Sequence, residues 1–205
     1  VGAGYGTVKY LASHTPTNTS LTTSFTYNSS GELTKTVLPY GGELQWDHGT
    51  FTYVNNVKHR EVTARRLVKD SGTTPVTYTL ARDGADASQP MHTRLTVTDG
   101  GSGAVKDWYF SPAADWTRGL TTQFDERGTA GGAVLRRSAY TFTRDANLMP
   151  YVQASTVTLD VGLGTQQIAK TDQTVDVYGN VTQSRVYEFN NTTTPVKTVN
   201  CTYSS

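Results

Sequence analysis

Tyr27-Asn28-Ser29-Ser30-Gly31-Glu32-Leu33 is the stretch that decides the fold, set between Thr-rich alternating segments. It reads as a strand ending on an aromatic, a tight turn of Asn, Ser and Gly, and a new strand opening on an aliphatic. A rougher echo occurs at Asp176-Val177-Tyr178-Gly179-Asn180-Val181-Thr182, followed by Arg185-Val186-Tyr187.

Working outward, the period is two nearly everywhere. Leu21–Tyr27, Leu33–Leu38, Glu43–Trp46 and Thr50–Val54 alternate, as do Glu61–Val68, Val76–Leu80, Thr93–Thr98, Val105–Phe110 and Gly119–Asp125. Leu135–Thr143, Tyr151–Leu159, Ile168–Val175, Val181–Phe189 and Val196–Tyr203 complete the series. Turn formers separate them: Asn28–Gly31, Pro39–Gly42, Asp47–Gly49, Asn55-Asn56, Asp70–Gly72, Asp99–Gly103, Gly128–Gly132 and Tyr178–Asn180. About fourteen short strands with hairpin-length connections predict an all-β, antiparallel meander of consecutive hairpins, curled by strand twist into an open sheet. Ala113–Trp116 allows one helical turn at most. One face should be apolar and the other rich in Thr, Ser, Gln, Lys and Arg, with edges at both ends open to edge-to-edge pairing.

Composition agrees. Of the 205 residues 36% are hydrophobic, Thr dominates, and 12 Tyr outnumber 6 Phe. Thr and Tyr suit a pleated surface with one wet face. A net charge of +1 with 17% charged residues argues against nucleic acid, which calls for a basic excess on one face. Arg65-Arg66 and Arg136-Arg137 read as solvated strand positions. The single cysteine, Cys201, excludes an internal disulfide framework and a multi-thiolate zinc site. No apolar run reaches the length of a membrane helix. The chain opens at Val1 without Met and stops at Ser205 just after a strand-like stretch, which reads as residues 1–205 of one segment cut from a larger repeat protein.

The turn motifs resemble the tyrosine-aspartate (YD) repeat of the Rhs family, roughly Tyr-Asp-x-x-Gly-x-Leu/Val-Thr. The matching positions are Tyr27, Gly31 and Leu33 in one copy and Tyr178, Gly179, Asn180 and Val181 in the other. Asn28 replaces the aspartate in the first, and the Tyr-Asp order is inverted in the second. Leu33–Trp46, Leu135–Thr143 and Ala169–Thr182 are similar to Rhs-type strands. The resemblance implies a structural wall segment of a hollow β-shell, secreted or at the surface of a bacterial cell. Its partners would be neighbouring repeats and an enclosed toxin or effector cargo, and it would have no catalytic activity and no cofactor. Rhs proteins that release cargo carry an Asp-Pro-x-Gly region, and no Asp-Pro pair occurs here.

Catalytic and metal patterns are weak. Asp47-His48 reads as a capped turn and His59-Arg60-Glu61 as a cross-strand charge cluster. His14 and His92 have no second ligand at metal spacing. Asp125-Glu126-Arg127 holds two acids, but as sequence neighbours they point apart, against the facing carboxylates of glycoside chemistry. Asp83–Asp86 and Asp99–Gly103 do not complete a calcium-loop register. Val1–Gly6 has neither the preceding strand nor the following helix of a dinucleotide loop. Asn-x-Ser/Thr triplets headed by Asn18, Asn28, Asn180, Asn190, Asn191 and Asn200 read as products of composition. The alternative reading is a carbohydrate-binding or adhesin β module. For that role Trp116, in a loop and expected to be exposed, is the candidate for stacking on a ligand, while Trp46 and Trp108 belong to the packed side.

Overall fold

A computed structural model describes residues 9–70, 72–83 and 89–203. Val1–Gly6, Ser71 of the Asp70–Gly72 turn and most of Asp83–Asp86 lie outside them. Fourteen strands form one sheet whose spatial order is the chain order. They are β1 (Ser13–His14), β2 (Thr23–Tyr27), β3 (Leu33–Val37), β4 (Glu43–Thr52), β5 (Lys58–Val68), β6 (Val76–Arg82) and β7 (Arg94–Asp99). The second half comprises β8 (Val105–Phe110), β9 (Thr121–Arg127), β10 (Val134–Arg144), β11 (Pro150–Leu159), β12 (Gln167–Val175), β13 (Val181–Tyr187) and β14 (Pro195–Asn200). Every pairing is antiparallel and links strands consecutive in sequence, and β1 does not meet β14, so the sheet is open. Among the described residues the helical content is one 3₁₀ turn, Val54–Asn56, and no helix is long and apolar enough to cross a membrane.

The two motif copies fold into the same hairpin. Tyr27 pairs with Leu33 and Val175 with Val181, each pair closing a five-residue loop. In the first loop the Asn28 N–H donates to the Glu32 carbonyl (3.0 Å) and the Gly31 N–H to the Asn28 carbonyl (3.0 Å). In the second, Asp176 N–H donates to Asn180 (2.9 Å) and Gly179 N–H to Asp176 (3.1 Å). The Asx side chain secures both loops: Asn28 Oδ1 accepts from Ser30 and Glu32 N–H, and Asp176 Oδ1 from Tyr178 and Asn180 N–H. The fourth loop position is left-handed, φ 80° at Gly31 and 83° at Gly179, where a Cβ would be strained. Just after the closing residues Leu33 and Val181, Thr34 and Thr182 sit at register shifts, and their hydroxyls donate to the Thr26 and Thr174 carbonyls at 3.1 and 3.2 Å. The loop at Asp145–Met149 repeats these bonds with Leu148 in the left-handed position at φ 64°.

Superposed this way, the copies align Asn28 with Asp176. Tyr178 then falls at the Ser30 position of the loop, 86% exposed, and Val175 stands where Tyr27 stands.

One expectation changes. Asp47–Gly49 is not a turn: β4 runs unbroken through it, with a register shift between Asp47 and His48. The eleven-residue partner β5 keeps pairing on both sides, and Thr63 is the extra residue that the shift absorbs. A Cβ on Gly49 would lie 2.9 Å from Thr63 Cγ2, so glycine here serves close approach. The hairpin turn comes later, at Asn55 and Asn56, both left-handed.

Strand pairing joins chain neighbours, and no second layer covers the sheet among the described residues. Among the described residues four hydrophobic side chains are buried: Tyr53, Ala64, Val105 and Tyr187. The chain exposes 12873 Å², about a third more than the roughly 9,400 Å² of a compact protein of 22.3 kDa.

Candidate functional site

Cross-strand partners share a face, so the registers sort the centre of the sheet into two surfaces. One row runs Leu95, Trp108, Phe124, Ser138, Val157 across β7 to β11. The next runs Thr96, Asp107, Asp125, Arg137, Thr158. The apolar and polar faces foreseen from the alternation are present.

The polar face was expected to be wet. Instead, Asp107 and Asp125 are 0% exposed and directly opposite each other. Like charges at that spacing repel, and three guanidiniums offset the repulsion. Arg94 Nη2 reaches Asp107 at 2.6 Å, with the Thr96 hydroxyl donating to the same oxygen at 2.6 Å. Arg127 lies between the two acids, paired with Asp107 and 3.5 Å from Asp125. Arg137 grips Asp125 with two hydrogen bonds, 2.8 and 2.9 Å. Burial and the neighbouring Arg94 and Arg137 push Arg127 below the usual guanidinium range, whereas the Asp125 hydrogen bond raises Arg137. Arg137, expected in solvent, is thus part of a ladder spanning four strands. A smaller cluster repeats the theme on β12 and β13, where Asp172 accepts from Arg185 (2.6 Å) and the Tyr187 hydroxyl (2.7 Å). Burial would raise the Asp172 carboxyl, but these bonds and Lys170 outweigh it and hold it low.

On the opposite face, Trp108, Phe124, Tyr140, Phe142 and Val152 line an open groove of about 390 Å³. Trp108 and Phe124 are tilted against each other at 4.9 Å. Trp46 lines a second groove with Tyr78, Leu80 and Val97. Trp116 is not exposed as expected: it is half-buried, and the Arg144 guanidinium covers one ring face at 4.6 Å.

A third feature brings together residues far apart in the chain. Glu61 on β5 accepts the Tyr53 hydroxyl on one carboxylate oxygen and pairs with Arg82 of β6 through the other. His92, just before β7, lies 3.4 Å from that second oxygen. Tyr53 also meets His59 and His92 edge to face, at 5.3 and 5.0 Å. Burial, with the Glu61 carboxylate at its hydroxyl, pushes the Tyr53 phenol up. His59 and Glu61, read as a local strand cluster, and His92, read as isolated, therefore share a cleft of about 410 Å³. Their separations in sequence hid this, because β6 lies between them in the chain. Among the described residues no three His, Cys, Asp or Glu groups converge as a metal site.

Elsewhere, Asp125 and Glu126 point to opposite faces, Glu126 meeting Lys106 at 3.5 Å and Arg136 at 3.4 Å. The Asp99 carboxylate is engaged by its own loop, accepting from Gly101 N–H (2.8 Å) and the Ser102 hydroxyl (2.9 Å). His48 lies 3.9 Å from Glu32, which Arg60 clasps with two hydrogen bonds of 2.8 Å. Those bonds, with one from Asn28, bring the Glu32 carboxyl down to about 2.

No protein family matches the chain, and no curated protein does. Among solved structures, a porin-like protein from Bacteroides uniformis (crystal structure at 2.32 Å resolution) is similar at 15% identity and a TM-score of 0.29. The likeness covers 81% of this chain and 52% of that one, so the chain spans about half that protein's length. At that score it carries neither fold nor function.

Proposed function

We propose that this chain is a wall segment of a YD/Rhs-type β-shell, secreted or displayed by a bacterial cell, that encloses a toxin or effector cargo and does no chemistry of its own. The observation that carries the reading is the single-layer sheet, in which each strand pairs with its chain neighbours and no second layer covers either face among the described residues. Such an array is stabilised by nearest-neighbour interfaces and grows hairpin by hairpin. The matched loops at Asn28 and Asp176 supply the recurrence expected of repeats. Arginines folded over buried aspartates keep the polar face closed without a hydrophobic layer above it.

Electron microscopy of the whole gene product tests this. A hollow shell with this sheet in its wall and density inside is expected. A sheet packed on both faces by globular domains, with no enclosed volume, would overturn it.

The aromatic groove around Trp108 and Phe124 favours a second reading, a carbohydrate-binding or adhesin module, since sugar rings stack on such faces. Saturable quenching of tryptophan fluorescence by oligosaccharides, lost in Trp108→Ala, would support it. An unchanged spectrum across a glycan panel would remove it.

A further inference from the structure

The cleft beside Glu61 holds a buried nitrogen without a partner. His92 is 9% exposed, and its Nδ1 lies 2.9 Å from the Asp83 carbonyl oxygen. A carbonyl only accepts, so Nδ1 donates there and Nε2 is left to the cleft. Nε2 faces Glu61 Oε2 at 3.4 Å and has no hydrogen-bond partner among the described residues. A donor seated between Glu61 Oε2 and Nε2 would satisfy both buried atoms.

The surroundings specify the donor. Two carboxylates, Glu61 and Asp83, stand here against the one guanidinium of Arg82. A cationic donor is favoured over a hydroxyl or an amide. The rest of the cleft is lined by Pro90, Met91, Leu95 and Phe110, which suits an unbranched aliphatic stem. At about 410 Å³ the cleft has room for such a stem and its head group. Arg82 and Tyr53 already hold the carboxylate in place, so its remaining acceptor sites are fixed before any ligand enters.

We propose that this cleft binds a primary ammonium on an aliphatic stem, the end of a lysine side chain in a peptide segment, with the ammonium bridging Glu61 Oε2 and His92 Nε2. The site is independent of the wall role: it stands or falls on the cleft alone.

The test is an NMR titration of the full chain, following the His92 ring signals, with Nα-acetyl-lysine N-methylamide and its uncharged counterpart Nα-acetyl-norleucine N-methylamide. Saturable shifts of the His92 signals are expected, with the lysine compound binding at least tenfold more tightly, the scale of a charge-assisted hydrogen bond. Glu61→Gln should reduce the preference to less than twofold. The wild-type comparison decides the matter even if that variant fails to fold. Equal affinity for the two amides, or lysine binding that leaves His92 unmoved, overturns the proposal, as does no binding by either.

Discussion

Removing the Asp125 carboxylate separates the two forces acting on the ladder. Asp125→Ala deletes the paired hydrogen bonds to Arg137 (2.8 and 2.9 Å) and the weaker ones from Gln123 (3.1 Å). It also leaves Arg127 with Asp107 as its remaining partner. Breaking a buried ion pair from one side costs about 3–5 kcal/mol. The Arg137 side chain is 33% exposed, so it regains water, and we expect a net loss of about 2–3 kcal/mol. Acting against this is relief of the Asp107–Asp125 repulsion, worth up to about 1 kcal/mol for a cross-strand pair, most of which Arg127 already cancels. In a chain of this length each kcal/mol shifts Tm by about 2–4 °C, so Tm should fall by about 4–12 °C. Urea unfolding followed by tryptophan fluorescence gives the same quantity, with Trp108 on the adjacent strand as reporter. The double variant Asp125→Ala/Arg137→Ala should show a coupling energy of about 2 kcal/mol. If Asp125→Asn proves neutral or stabilising, or the coupling vanishes, repulsion between the two aspartates outweighs the arginine clamps and the account of the polar face is wrong.

Gly179→Ala introduces a side chain with no steric neighbour at φ 83°, so a loss of about 1 kcal/mol from backbone strain alone should appear in thermal unfolding. The converse, Leu148→Gly at φ 64°, should raise stability by a few tenths to about 1 kcal/mol, since Leu148 is 65% exposed and contributes little packing. Gly49→Ala should destabilise more than Gly179→Ala, because its Cβ meets Thr63 Cγ2; equal losses would deny the close approach at the register shift. The Glu32 carboxyl drops from its ordinary 4.5 to about 2 in the folded chain, so its stabilising effect is full above pH 4.5 and fades as pH falls through 2. The stability gap between wild type and Glu32→Gln should accordingly be constant near neutrality and close toward pH 2; a gap that persists in acid would assign it to packing.

Some of the architecture needs no tertiary information. Alternation of period two along Leu33–Leu38 or Tyr151–Leu159 is a property of the chain itself, because a strand turns successive side chains to opposite faces wherever it lies. The loops are equally local: in Asn28–Gly31 and Asp176–Gly179 one Asx carboxamide or carboxylate and one glycine satisfy the backbone within five residues. Hairpins that close locally can only follow one another, so the meander and its chain-order sheet were legible before any coordinate.

The sequence could not decide between a turn and a register shift at Asp47–Gly49, where both use the same small and polar residues; the length of β5 opposite decided it. Nor could it distinguish a wet polar face from a buried one. Asp107, Asp125 and Arg137 are 12 to 30 residues apart, and only the registers of two successive strand pairs place them in one row. The cleft around Glu61 and His92 likewise depends on where β5, β6 and the approach to β7 come together. Local structure follows from steric and hydrogen-bonding rules within a few residues, which the sequence carries in full. Ion pairs and clefts depend on distances between residues remote in the chain, and those exist only once the sheet has formed.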